Sequence, residues 1–118
     1  MQALCADTFE INELLSELIS IESINPNLSK KGSGEYRIAS FLQSYMEKMG
    51  LEVHFQKISD HQANVIGVWK GNGTGKSLML NGLLETVGVE GMEINPFDPV
   101  LDNGKMFGRG AIDMKSGV

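Results

Sequence analysis

The chain has 118 residues, of which 42% are apolar, with 10 basic against 15 acidic side chains and a net charge of −5. That length suits one domain or part of one, and that apolar content excludes a disordered chain. The acidic balance, with basic residues scattered rather than striped, disfavours nucleic-acid binding.

The chain opens with its single cysteine, Cys5, which reads as a reduced bystander and leaves no internal disulfide and no cysteine cluster for zinc. Met1 to Asp7 lacks a basic region followed by an apolar stretch, so no signal peptide is expected. The apolar runs are far too short to span a membrane, and a soluble, cytoplasmic protein is the default expectation.

Ile11, Leu14, Leu15, Leu18 and Ile19 fall on one face of a helix, at i, i+3, i+4, i+7 and i+8. Asp7 with Glu10 three residues later predicts a capping box at its start. Ser23-Ile24-Asn25-Pro26 predicts its stop, because proline disfavours helix in the residue before it. A polar loop follows, Asn27 to Gly34. Ile38, Phe41, Leu42, Tyr45 and Met49 predict a second helix, with Lys48 in its last turn and Gly50 placed to close it.

The pattern then shortens to period two. Leu51 to Phe55 alternates like a half-exposed strand, while Asn64 to Trp69 and Leu78 to Leu80 predict buried strands. A glycine-rich turn, Lys70 to Lys76, lies between the last two. Helix, helix and three strands in that order predict an α/β class, with helices packed on a twisted mixed sheet. After Gly82 the chain reads as a long loop through Gly91, Asn95-Pro96, Asp98-Pro99 and Asp102-Asn103-Gly104. Connections of this kind are usually functional or tied down by neighbours. The chain ends on the glycine-rich turn from Gly108 to Gly117, and Val118 stands where a new element should begin, so truncation is expected.

Three features invite a chemical reading. Gly75-Lys76-Ser77 fails as a phosphate-binding loop, because Lys70 stands where the first glycine must be and a strand-like run follows it. His54 and His61 have no partner at metal-ligand spacing and read as surface or half-buried side chains. Asp113 sits between glycines, with Arg109 and Lys115 nearby. It is either a turn-stabilising carboxylate or one presented to a cation, and the flanking positive charges favour its ionised form. Arg109 either helps fix that turn, as Lys115 is expected to, or makes a surface salt bridge.

Two stretches together resemble a known family. Leu78-Met79-Leu80-Asn81-Gly82-Leu83-Leu84-Glu85-Thr86-Val87 resembles the strand and metal loop of the zinc-dependent aminoacylase/deacetylase metallopeptidases, whose pattern is an apolar strand, then Gly-His-x-Asp-Thr/Val-Val. Acetylornithine deacetylase, succinyl-diaminopimelate desuccinylase and glutamate carboxypeptidases belong there. Residues 108–117 match the second signature, Gly-Arg-Gly-x-x-Asp-Met-Lys-Gly-Gly, with Ser116 for one glycine. Asn95-Pro96-Phe97-Asp98-Pro99 and the run from Asp102 to Phe107 resemble the linking segment, and both helices fit the family's opening.

The resemblance implies the first part of a zinc-exopeptidase-like catalytic domain over residues 1–118, without the rest of that domain or the lid that often mediates homodimerisation. It implies two zinc ions, replaceable by cobalt, a small acylated amino acid or peptide as substrate, and hydrolysis of its amide bond. Asp113 matches the carboxylate that bridges the metals. Glu85 occupies the position of the aspartate that orients a metal-binding histidine. Leu83 occupies the position of that histidine and has no lone pair to offer. The chain is therefore expected to be inactive alone, or to be a relic or a binding and scaffold module that keeps the fold.

Overall fold

Helix α1 spans Thr8–Ser20 in the computed structural model, which describes residues 7–118; Cys5 lies outside the described residues. Asp7 caps the helix in an extended conformation, and its carboxylate accepts the Phe9 N–H at 3.2 Å. An aspartate at this position satisfies one of the four free N–H groups of the first turn. The periodic face is buried only toward its end. Ile11 is exposed, Leu14 and Leu15 are half-buried, and Leu18 and Ile19 are fully buried.

Helix α2 spans Tyr36–Lys48 and buries Ile38, Ala39 and Leu42. It ends as its sequence predicts. Gly50 takes φ 83°, the Gly50 N–H donates to Glu47 O at 3.0 Å and the Leu51 N–H to Met46 O at 3.1 Å. That pair of bonds closes a helix when the residue beyond its end is left-handed, which glycine does without a Cβ penalty.

Strands β1 (Glu52–Lys57) and β2 (Ala63–Val68) form an antiparallel hairpin, with Val53 opposite Gly67 and Phe55 opposite Val65. Burial alternates along both, as a half-exposed sheet requires. The hairpin packs on α2. Leu18, Ile38 and Leu42 form the core, with Leu14, Phe41, Val65 and Leu84 against them. Burial of three such side chains contributes about 2 kcal/mol each.

A second antiparallel hairpin, β3 (Val100–Asp102) and β4 (Lys105–Phe107), interrupts the stretch expected to be loop. Its two-residue turn is Asn103-Gly104, with φ 48° and 76°. Positive φ at both positions matches the twist of the flanking strands, and Asn-Gly is the pair that tolerates it. A 3₁₀ turn, Lys115–Gly117, follows and packs on α1.

The α/β arrangement of helices on small sheets is as expected, with the one parallel pairing among the described residues limited to a bridge between Ile24 and Thr86. The expected strand at Leu78–Leu80 is not formed. These three side chains are more than 80% exposed and belong to no sheet. A strand exists only where a partner takes up its N–H and C=O groups, and this segment pairs with neither hairpin. No helix among the described residues is long and apolar enough to cross a membrane.

Candidate functional site

The Ile24–Thr86 bridge builds one wall of an open depression of about 440 Å³. The segment after α1 runs parallel to residues 84–86: the Thr86 N–H donates to Ser23 O and the Asn25 N–H to Thr86 O, both at 2.9 Å. The fully buried Ser23 hydroxyl adds a 2.7 Å bond to Leu84 O. Three bonds thus fix the backbone on both sides of Glu85. Leu83, Glu85 and Thr86 line the depression from this side, Phe107 closes it from β4, and Arg109 and Asp113 line it from the glycine-rich turn. The structure therefore brings Asp113 to one cavity with Leu83 and Glu85, from which it is distant in sequence.

Asp113 is exposed, and the peptide bond after it is cis. The two walls touch where the Leu83 N–H meets Met114 Sδ at 3.5 Å. Gly110, at φ 83°, carries the turn past Thr86, because a Cβ there would stand 2.9 Å from Thr86 Cγ2 and 3.1 Å from Lys115 Cδ. The Arg109 N–H donates to Pro96 O at 2.8 Å, and its Nε is buried without a partner. No ion pair forms at Arg109 among the described residues, so of its two readings the surface salt bridge is absent.

Lys115 does more than sit beside Asp113. It is 2% exposed, and its Nζ donates to Leu18 O and Ile21 O, each at 2.7 Å. Those are carbonyls at the end of α1, a helix with no basic residue in its own last turn. A cation there satisfies carbonyls that have no intrahelical donor and meets the negative end of the helix dipole. Burial pushes the ammonium down to about 8, with the Glu22 carboxylate opposing that shift. The Asp113 turn is thus anchored to α1 through its neighbour's side chain.

The Glu85 carboxylate accepts a hydrogen bond from Asn25 Nδ2 and lies against the carboxyl of Glu35. Burial first, and then Glu85, push the Glu35 carboxyl above the usual glutamate range. Neither Asn25 nor Glu35 was singled out by sequence as a site residue. Glu35 did carry a signal, because glutamate is a poor N-cap and at that position it makes no capping bond.

The two histidines stay outside the cavity. His54 pairs with Glu52 at 3.2 Å on the exposed face of β1, and His61 serves α2 through its backbone carbonyl, which accepts from Glu35 and Tyr36. Among the described residues no group of three or more His, Cys, Asp or Glu side chains could hold a metal ion.

No family model matches the chain. Curated proteins do match it. It is 31% identical over 114 residues to an N-formyl-4-amino-5-aminomethyl-2-methylpyrimidine deformylase of Bacillus subtilis, covering 92% of this chain and 26% of that protein. It is 37% identical over 109 residues to a succinyl-diaminopimelate desuccinylase of Psychromonas ingrahamii, covering 89% and 26%. It is 31% identical over 124 residues to an uncharacterised metallohydrolase of Methanocaldococcus jannaschii, covering 92% and 29%. The chain spans about a quarter of the length of the curated relatives it matches. Over nearly all of its own length it aligns with these hydrolases, and it belongs to the aminoacylase/deacetylase metallopeptidase family that its two motifs resemble.

Proposed function

We propose that the chain supplies one wall of a site that hydrolyses the amide bond of an N-acyl amino acid or small peptide, in the manner of acetylornithine deacetylase. The observation that carries this reading is the convergence of Leu83, Glu85 and Asp113 on a single cavity. Asp113, exposed at its rim on a turn anchored by Lys115, has the donor type and access of a metal-bridging carboxylate. Glu85 holds the place of the carboxylate that orients a histidine ligand.

The donors present do not by themselves fit the zinc pair of that family. Asp113 is one carboxylate, Leu83 offers no lone pair, and a zinc site needs three or four ligands. These residues alone do not complete a zinc pair, and the chain alone is expected not to turn over substrate. The Leu83 side chain favours a second reading, a binding or scaffold module that has kept the fold. That module would bind its partner equally well after Asp113→Ala.

Equilibrium dialysis against zinc tests the first reading. Leu83→His with Glu85→Asp is expected to take up zinc about tenfold more tightly than the natural chain, a gain of about 1.4 kcal/mol. Adding Asp113→Ala to that pair is expected to abolish the gain. A double variant that binds zinc no better than the natural chain would overturn the assignment of the cavity.

A further inference from the structure

Three side chains from separate parts of the chain meet behind the cavity wall. Asn25 is fixed by the parallel bridge, since its N–H donates to Thr86 O at 2.9 Å and its Oδ1 accepts the Asn27 N–H at 2.8 Å. With its oxygen engaged, its amide N–H₂ is free to donate, and it donates to Glu85 Oε2. Glu35 stands at the start of α2, where its N–H donates to His61 O at 2.8 Å and its carboxyl is not used as a cap. That carboxyl faces Glu85, and its Oε2 is buried with no hydrogen-bond partner.

Two carboxyls in contact cannot both ionise cheaply, and a buried carboxylate oxygen without a donor loses its hydration. Glu85 is the charged group that acts on Glu35, and no cationic side chain acts on it among the described residues. One proton resolves both difficulties. Placed on Glu35, it removes one of the two charges and becomes a donor to the other carboxylate.

We propose that Asn25 and Glu35 are positioning residues for Glu85, with the Asn25 amide N–H and the Glu35 carboxylic O–H both donated to its carboxylate. This rests on the reading that Glu85 holds the orienting-carboxylate position. The proton stays within the pair: Glu35 donates it as a hydrogen bond, and no bond is broken. An aspartate at position 85 ends one methylene earlier and gives up this double hold. The raised position of the Glu35 carboxyl, caused by burial and then by Glu85, agrees with that geometry.

The test is a pH titration of the 118-residue chain, labelled with carbon-13 at its glutamate carboxyls and followed by NMR. Glu35 is expected to titrate above 4.5, its ordinary value, and to move down in Glu85→Gln. Glu35→Gln presents an amide N–H in place of the carboxylic proton. It is expected to leave the Asn25 side-chain amide resonances in place, where Glu35→Ala shifts them; this rescue by the conservative variant separates positioning from bulk packing. Should Glu85→Gln fail to fold, the melting profile of Glu35→Gln decides. It is expected to lose the fall in stability that the natural chain shows as pH rises above 4.5. Glu35 titrating in the ordinary range, or indifferent to Glu85→Gln, or a Glu35→Gln profile parallel to the natural one, overturns the proposal. These readouts need neither metal nor turnover, so they stand or fall separately from the zinc dialysis.

Discussion

Lys115→Met removes the ammonium that joins the Asp113 turn to α1 and keeps most of its stem. Two carbonyls, Leu18 O and Ile21 O, then lose donors at 2.7 Å. Orphaned groups of this kind cost about 1–3 kcal/mol each, so about 4 kcal/mol together. Against that stands the cost of burying the charge. The drop of the Lys115 pKa from 10.5 to about 8 places it at about 3 kcal/mol. The variant should therefore be less stable by about 1 kcal/mol at pH 7, or about 4 °C in melting temperature. The opposing contributions separate with pH. Between 8 and 10.5 the unfolded chain keeps the lysine proton that the folded chain has released. There the unfolded state binds more protons, so natural-chain stability rises with pH. A neutral amine still donates to both carbonyls, and the methionine variant has no such rise. The gap between the two should widen to about 3 kcal/mol near pH 9.5. Urea melts at both pH values measure it. A gap that stays constant with pH, or a variant as stable as the natural chain at pH 7, would refute the buried clamp.

Further outcomes follow from single positions. Gly50→Ala should cost about 1 kcal/mol, because φ is 83° and a Cβ there meets nothing within 4 Å; the urea midpoint should drop with the slope unchanged. Glu22 accepts from the Ile24 and Ser33 N–H groups and from the Ser33 hydroxyl. Burial raises its carboxyl, but these bonds and Arg37 outweigh it and hold the group below its ordinary 4.5. Its contribution is present above pH 4.5 and lost as pH falls through the folded value, so Glu22→Gln should flatten the acid limb of the melting profile. Leu18→Ala, at a fully buried site, should cost about 2–5 kcal/mol in the same melts.

Both helices were legible in the sequence because each carries its own instructions: an apolar stripe, an aspartate at one start, a lysine and glycine at one end. The first hairpin was legible by alternation. The second was present in the sequence as Asn103-Gly104, but its strands are three residues long and too short to show a period. Leu78–Leu80 misled for the opposite reason. Its composition fits a buried strand, but burial and pairing are properties of a partner, and a local pattern cannot state whether one is there.

That Leu83, Glu85 and Asp113 belong to one place in the fold was readable because motifs preserve spacing. What holds them was not. The Lys115 ammonium reaches carbonyls of a helix 94 and 97 residues earlier, and the Asn25 amide reaches Glu85 across 60 residues. Nothing in the local pattern around Ser23-Ile24-Asn25-Pro26 distinguishes a helix stop from a segment whose bridge builds a cavity wall. The stop itself was placed near the right point for an incomplete reason. α1 ends at Ser20, before the proline acts, and its final carbonyls are taken by a residue from the far end of the chain.

The two departures from the family pattern differ in kind. At position 83 the change is chemical: a leucine cannot donate a lone pair in any geometry, and its backbone is already committed to Met114. At position 85 the change is geometric: the charge remains, but the longer side chain reaches Asn25 and Glu35. A histidine at 83 alone would face a carboxylate held by other partners. An aspartate at 85 alone would have no imidazole to orient. On the proposed roles, each substitution removes part of what the other would need, so the effects of restoring the two positions on zinc uptake are expected not to add. The wall itself does not depend on either side chain. It is set by the Ser23, Asn25 and Thr86 bonds and by the Lys115 clamp, so the fold does not require a particular side chain at position 83.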